Sequence, residues 1–204
     1  MKKKSIIFLD NDGVICLEDN FDSRTKKQRE YARRNPSCNV KDSPVDIMFD
    51  NLDKKAVRVL NSIIEETGAH IVISSDWKLY ETVENLGKYY LNQGIISTPI
   101  DHTPKFDDII DIQSLILLRP FFTLEIERAL EIKHWLDNHP EVTHWVAIDD
   151  MNMLEENLKN AYAKVDAPEI PISIDFPNFV HTPKIREGIK QSGVKEKIIK
   201  ILSN

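Results

Sequence analysis

Hydrophobic residues along this chain form short apolar runs that alternate with segments of helical spacing. The runs Ile6–Leu9, His70–Ile73 and His144–Ile148 are typical of strands that are buried on both faces of a parallel sheet. Shorter runs at Ile95–Ser97 and Asn178–His181 predict two more strands. In chain order, the pattern therefore predicts five strands.

The segments between these runs carry apolar residues every three or four positions, which predicts amphipathic helices. These segments are residues 56–64, 79–90, 126–136 and 194–202. Leu154 and Leu158 indicate a further helix, and Asn51 or Asp53 and, later, Thr123 are suitable N-caps. Strands that alternate with helices imply right-handed crossovers, so the predicted fold is α/β with a doubly wound (Rossmann-like) parallel sheet.

Two regions do not follow this alternation. Residues 16–48 lack clean periodicity and contain Arg24–Arg34, in which six of eleven residues are basic. We predict that residues 16–48 are a small cap or flap inserted into a single domain of residues 1–204, while a solvated helix face is the alternative interpretation. Residues 99–122 are largely apolar but contain Arg119-Pro120, and a core helix, a β-flap and a dimer surface remain open there.

Length and charge set limits on the class of protein. A chain of 204 residues is long enough for one sizeable core, and a net charge of −6 gives no general attraction to nucleic acid, although it permits a local basic patch. The lysines at positions 2–4 are followed by only four apolar residues before Asp10, which is too short for a signal peptide. Because no apolar run is long enough to span a membrane, we expect a cytoplasmic protein without a membrane partner.

Reactive side chains directly follow three of the predicted strands. Asp10 and Asp12 come after the first strand, Ser74 after the second, and Asp149 and Asp150 after the fourth. Because the carboxyl ends of parallel strands meet at one edge of a sheet, we expect these groups to lie together at a ligand site. Neighbouring carboxylates repel one another unless a proton or a cation intervenes, and Mg²⁺ takes oxygen ligands while keeping positions for phosphate. The pattern therefore predicts a Mg²⁺ site that binds phosphate.

The stretch Asp10-Asn11-Asp12-Gly13-Val14 resembles the first motif of the haloacid dehalogenase (HAD) superfamily, most of whose members are phosphohydrolases. Calcium loops also use closely spaced acids, but the Glu that would close such a loop is absent here. Ser74 and the Asp149–Asp150 pair match the second and fourth motifs of the superfamily. Its third motif is a Lys or Arg upstream of that pair, and both Arg128 and Lys133 qualify.

The resemblance implies a chemical role for each acid. Asp10 attacks phosphorus and forms an aspartyl-phosphate, while Asp12 acts first as general acid and then as general base. Mg²⁺ is held by Asp10, by the backbone carbonyl of Asp12, and by Asp149 or Asp150.

Two further groups are implied to stabilise the phosphoryl group. Ser74 donates a hydrogen bond to a phosphoryl oxygen, with Ser75 as its substitute if Ser74 only caps a turn. Arg128 or Lys133 offsets charge on the pentavalent phosphorus, although Arg128 could instead pair with Glu131 on a helix surface.

More of the chain resembles one subgroup of the superfamily, the phosphatase-like domains of multi-domain RNA-repair proteins. The matching pieces are Thr67-Gly68-Ala69, Ile73-Ser74-Ser75-Asp76-Trp77-Lys78, Thr103-Pro104, Arg128, Glu131-Ile132, Trp135-Leu136 and Asp149-Asp150-Met151. Ala129 stands where the subgroup often has Gly, and Lys78 where it often has Arg. These departures leave the implied chemistry intact and bear on the substrate.

The sequence thus predicts a Mg²⁺-dependent phosphomonoester hydrolase. Its substrate is either a nucleotide or nucleic-acid end, favoured by the basic segment, or a small phosphorylated metabolite. A phosphoryl-binding or signalling module without turnover is the alternative, but receiver domains lack an acid where Asp12 stands. A dehalogenase fits less well, because Asp12 and the metal ligands suit phosphate transfer. We interpret Trp77, Trp135 and Trp145 as packing residues of the core or its boundary.

Overall fold

The computed structural model describes residues 4–38, 43–110, 123–154 and 176–204. The strands in these residues are β1 (Ser5–Leu9), β2 (His70–Ile73), β3 (Asp101–His102), β4 (His144–Asp149) and β5 (Phe179–His181). They pair in parallel in the order β3-β2-β1-β4-β5, with β1 at the centre. The α/β fold with a parallel sheet is therefore confirmed.

Helices cover both faces of the sheet. The helices in the described residues are α1 (Ser23–Arg34), α2 (Lys54–Thr67), α3 (Val83–Asn92), α4 (Phe106–Ile109), α5 (Leu124–Asp137) and α6 (Val194–Ser203). Ile7 and Leu9 of β1 face the core shared with α2, α3 and α6, whereas Ile6 and Phe8 face the core shared with α5. Alternate residues of a buried strand thus serve two cores, which explains why its apolar run is continuous. None of the helices in the described ranges is long and apolar enough to cross a lipid bilayer.

The register of the sheet brings the ends of three strands to the same level. Leu9 lies opposite Ile73 of β2 and Ile148 of β4. Backbone hydrogen bonds continue past the strand ends, from the Asp10 N–H to the Ile148 carbonyl (3.1 Å) and from the Ser74 N–H to the Leu9 carbonyl (2.9 Å). The residues that follow β1, β2 and β4 therefore begin at one edge of the sheet.

The N-cap of α2 is Asp53, one of the two residues predicted for that position. Its carboxylate accepts hydrogen bonds from the N–H groups of Lys55 and Ala56. Thr123 takes the N-cap position of α5 with extended backbone, but its side chain makes no capping hydrogen bond.

The predicted third strand at Ile95–Ser97 is wrong, and β3 lies a few residues later. Ile95 is buried but Ile96 is exposed, so this segment is a loop that one side chain anchors in the core. The backbone hydrogen bonds that extend the sheet come instead from the N–H groups of Ile100 and Thr103 to carbonyls of β2.

The helix predicted at residues 79–90 begins later than expected. Leu79 ends a 3₁₀ turn and is exposed, so it does not belong to the helical face. The hydroxyl of Thr82 accepts a hydrogen bond from the Asn85 N–H (3.2 Å), and this N-cap starts α3 at Val83.

The basic part of the predicted insertion forms α1, which has no buried residue. Its first turn is held by Asp50, whose carboxylate accepts hydrogen bonds from the Ser23 hydroxyl (3.1 Å) and the Arg24 N–H (2.6 Å). Lys27 turns inward and donates to the Asp46 carbonyl (2.6 Å) and to Asn51 (2.9 Å). Helix α1 is thus attached to the segment before α2 at one end, and Arg29, Arg33 and Arg34 of its second half are exposed.

Some predicted features lie outside the described residues. Leu158 is among them, so the helix indicated by Leu154 and Leu158 stays a prediction. Residues 111–122 are also outside, and the three interpretations of 99–122 stay open beyond β3 and α4.

Candidate active site

Arg128 lies at the centre of the residues that the register brings together. Its Nη1 atom is 3.3 Å from Asp10 Oδ1 and 3.3 Å from Asp149 Oδ2. The same nitrogen donates to the backbone carbonyl of Ser74, and Nη2 donates to Asp76 at 2.9 Å. One guanidinium thus links the ends of β1, β2 and β4, using the planar set of donors that only arginine has.

The carboxylates of Asp10, Asp149 and Asp150 form a compact cluster. Each offers an oxygen atom, and these atoms lie within 4.8 Å of one another. Burial raises the pKa of Asp10 well above its usual value, and the charge of Asp149 raises it further, while Arg128 opposes both. Burial likewise raises the pKa of Asp149 to about 7, against the influence of Arg128. The carboxyl groups of Asp10 and Asp149 thus resist ionisation, and both lie beside the carboxyl group of Asp150. Such a cluster is suited to bind a hard divalent cation, which would offset the repulsion between the carboxylates.

Asp12 is separate from this cluster of carboxylates. Its side chain is half-buried, and its Oδ2 accepts a hydrogen bond from the indole Nε1–H of Trp77 at 2.9 Å. Burial raises the pKa of Asp12, while the hydrogen bonds from Trp77 and from the Cys16 thiol oppose that rise. The side chain of Asp12 therefore lies in a different environment from those of Asp10, Asp149 and Asp150, and its acid–base role stays a prediction.

Ser74 is buried, and its hydroxyl has no hydrogen-bond partner in the described part of the chain. Buried hydroxyl groups are nearly always paired, so an unpaired one beside Asp10 and Arg128 is suited to bind a ligand oxygen. Ser75, the predicted substitute, caps the following turn through a hydrogen bond from the Trp77 N–H at 3.5 Å.

The two candidates for the third motif occupy different environments. Arg128 is buried on the face of α5 that packs against the sheet, together with Ile132 and Trp135. Lys133 points away from that face and pairs with Asp137 on the surface at 2.8 Å. Arg128 therefore lies in the cluster of carboxylates and Lys133 lies outside it.

Gly13 allows the turn after β1 to approach the second acidic pair. Its φ is +70°, and a Cβ atom at this position would lie 2.3 Å from Asp150 Oδ2. A ring nitrogen of His181 contacts the backbone carbonyl of Asp150 at 2.9 Å. Both the glycine and the histidine thus define where Asp150 lies.

A buried ion pair behind Arg128 was not predicted from the sequence. Lys78 pairs with Glu131 and donates to the Thr103 hydroxyl at 2.8 Å. Glu131 also accepts a hydrogen bond from the Phe106 N–H (2.9 Å) and lies 3.8 Å from Arg128 Nε. Burial lowers the pKa of Lys78, and Glu131 opposes that change. The pair connects the ends of β2 and β3 to α5, which carries Arg128.

As predicted, Trp77 and Trp135 pack in the core and Trp145 packs at its boundary, but the first two also donate to carboxylates. Trp77 donates to Asp12, and Trp135 donates to Asp101 at 2.7 Å. One feature of the sequence could have marked Trp77 as a residue of the site. It lies three residues after Ser74, in a segment that begins at the end of a strand.

The chain matches a model of a known protein family. The family model described as "HAD domain in Swiss Army Knife RNA repair proteins" matches residues 6–168, a range that includes every residue of the cluster around Arg128. Neither the curated proteins nor the solved structures gave a match.

Proposed function

Because the chain belongs to the family of HAD domains in Swiss Army Knife RNA repair proteins, we propose that it is a Mg²⁺-dependent phosphomonoester hydrolase. The observation that carries this proposal is the position of Asp10. It is a buried carboxylate at the end of the central strand, in contact with Arg128 and within reach of two further acids. A nucleophile, a fixed positive charge and a set of oxygen ligands at one point are the parts that phosphoryl transfer needs.

The reaction divides between Asp10 and Asp12. A carboxylate oxygen of Asp10 forms a bond to phosphorus, and the ester oxygen leaves with a proton from Asp12. Asp12, now ionised, accepts a proton from water, whose oxygen attacks the aspartyl-phosphate and releases inorganic phosphate. Arg128 and the Ser74 hydroxyl face the phosphoryl oxygens during both steps and offset their charge.

The residues at this site fit Mg²⁺. The ion would be held by Asp10, Asp149 and Asp150, whose oxygen atoms lie within 4.8 Å of one another, together with the backbone carbonyl of Asp12. When bound, it neutralises the acids and polarises a phosphoryl oxygen.

We further propose that the phosphate is carried by a nucleotide or a nucleic-acid end. Five of the basic residues on α1 are exposed, and they are Arg24, Lys26, Arg29, Arg33 and Arg34. A surface of this kind attracts polyanions. The family takes its description from RNA repair proteins, which supports the same class of substrate.

The first prediction tests the chemistry. The wild-type protein is expected to hydrolyse p-nitrophenyl phosphate with Mg²⁺ and to lose this activity in excess EDTA. Asp10→Asn removes the nucleophile and is expected to abolish turnover. Asp137→Asn, which changes an exposed acid on α5, is the matched control and should retain the wild-type rate.

Two results would contradict the proposal. Undiminished activity in EDTA would exclude the metal-dependent reaction, and a wild-type rate for Asp10→Asn would exclude the nucleophile. A panel of 3′- and 5′-phosphorylated oligonucleotides beside phosphorylated metabolites then identifies the substrate, and faster turnover of the metabolites would contradict the choice of nucleic-acid ends.

A further inference from the structure

Trp77 and Asp12 meet at the edge of the site through a hydrogen bond that spans 65 positions of the chain. An indole N–H is a donor only, so the Asp12 oxygen that it touches, Oδ2, acts as an acceptor. The other oxygen of Asp12 is then the one that carries the acidic proton. This hydrogen bond makes the two oxygens of the carboxyl group unequal.

The indole of Trp77 is itself held in place by two aromatic rings. The ring of Phe49 stacks on it at 4.5 Å between centroids and 17° between planes, and Tyr89 contacts it edge-on at 5.8 Å. Tyr89 is fixed in turn by a hydrogen bond from its hydroxyl to the Asp50 carbonyl at 2.5 Å. Trp77 is 6% exposed, so its N–H cannot turn freely toward solvent.

We propose that Trp77 is a positioning residue for Asp12. Its N–H holds the carboxyl group in the orientation from which Asp12 protonates the leaving oxygen and later accepts a proton from water. This inference rests on the proposed function, and it adds a residue that acts through the general acid without touching the phosphate.

The physical reason is the freedom of an unrestrained aspartate. Without the indole, the half-buried Asp12 keeps only the weaker donor, the Cys16 thiol, and is expected to distribute over more staggered rotamers, of which only some aim at the leaving oxygen. Asp12 is protonated when it acts as the acid, and a hydrogen bond to a neutral carboxyl group favours one orientation by a factor between about 2 and about 10. The acid-catalysed step should slow by a similar factor when the bond is lost.

The test compares esters that differ in their need for an acid. p-Nitrophenolate leaves readily without a proton, whereas the alkoxide of an alkyl phosphate does not. Because kcat/KM covers only the steps up to release of the alcohol, it isolates the step in which Asp12 is the acid. Trp77→Phe is expected to lower kcat/KM for the alkyl phosphate several-fold, up to about tenfold, and for p-nitrophenyl phosphate less than about twofold.

The chain provides a matched control in Trp135. Trp135→Phe removes the same kind of hydrogen bond, from an indole to the carboxylate of Asp101, at a place outside the site. It should leave both kcat/KM values near those of the wild type. Asp12→Asn should show the selectivity of Trp77→Phe more strongly, since it removes the acid itself.

A second measurement does not depend on turnover. In ¹⁵N-labelled protein, the indole N–H signal of Trp77 should shift in Asp12→Asn, and that of Trp135 should stay in place. If Trp77→Phe does not fold, replacing the indole of Trp77 by benzothiophene keeps its shape and removes only the N–H, and the same selectivity is expected.

Several outcomes would overturn the inference. One is that Trp77→Phe lowers kcat/KM equally for both esters or for neither. Another is that the indole N–H signal of Trp77 does not shift in Asp12→Asn. Failure of the proposed function looks different, because the wild-type protein would then cleave neither ester while its Trp77 signal still responded to Asp12→Asn. That result would reduce the hydrogen bond to a structural contact.

Discussion

Arg128 is buried among acids from three strand ends, and it is the residue on which the charge balance of the site depends. It contacts Asp10 and Asp149 on one side and lies near Glu131 on the other. A buried charge that loses its partner is costly, so the carboxylates and the guanidinium stabilise one another. The same arrangement places a positive charge where the proposed transition state accumulates negative charge.

Replacement of Arg128 should therefore affect catalysis more than binding. Arg128→Ala is expected to lower kcat and kcat/KM together by on the order of 10²-fold, as loss of one oxyanion donor does. Lys133→Ala is the matched control, because Lys133 is on the same helix but pairs with Asp137 at the surface. Steady-state kinetics on p-nitrophenyl phosphate measures both variants. A larger effect of Lys133→Ala than of Arg128→Ala would reverse the assignment of the third motif.

The strand-end residues of the site could be predicted because their signal is local. Asp10, Ser74 and Asp149 each follow an apolar run directly, and parallel pairing brings the ends of such runs together. The contact between Trp77 and Asp12 could not be predicted, because it depends on how a turn after β2 packs against a turn after β1. The sequence allows Trp77 to be interpreted as a packing residue but carries no information about where its N–H points.

At the level of elements, the turn after β1 determines how closely the two acidic segments approach. Gly13 has a positive φ and leaves no room for a side chain next to Asp150. The approach of this turn to the end of β4 follows from the pairing of β1 with β4. Two element predictions failed because an apolar residue of a connecting segment resembles part of a regular element: Ile95 is buried in a loop, whereas Leu79 is exposed at the end of a 3₁₀ turn.

Gly13→Ala should therefore impair metal binding as well as stability. Alanine at a positive φ costs about 1–2 kcal/mol, and here its Cβ would also displace the Asp150 carboxylate. Gly68→Ala is the matched control, since Gly68 has a similar φ of +65° and open space around it. Both variants should have a lower Tm than the wild type, but only Gly13→Ala should lose the rise in Tm that bound Mg²⁺ gives. An unchanged response of Gly13→Ala to Mg²⁺ would show that Asp150 is not needed to hold the ion.

At the level of the whole molecule, the proposed chemistry lies at one edge of the parallel sheet, and α1 adds a basic surface to the protein. Helix α1 is anchored at its first turn through Ser23, Arg24 and Lys27. The cations of its second half are exposed and contribute nothing to the core. A helix that is anchored at one end and carries exposed positive charges is suited to bind further phosphates of a substrate that extends beyond the cleaved one.

Neutralising that second half should change the binding of nucleic acid and spare the chemistry. The variant Arg29→Gln/Arg33→Gln/Arg34→Gln is expected to raise KM for phosphorylated oligonucleotides. Each phosphate contact releases counterions from the nucleic acid, and this release favours binding, so the loss of a contact weakens binding. The slope of log binding constant against log salt should flatten by roughly 0.7 for each contact with a single strand. Hydrolysis of p-nitrophenyl phosphate should stay at the wild-type rate, since none of the three arginines contacts the cluster around Arg128.

The control is Lys88→Gln/Lys197→Gln/Lys200→Gln, which removes the same charge from α3 and α6. It is matched in its ion pair as well, because Lys88 pairs with Glu84 four positions away, as Arg34 does with Glu30. An equal effect of the two triple variants would mean that only net charge matters, and no effect of either would leave α1 as a solvated helix without a role in substrate binding.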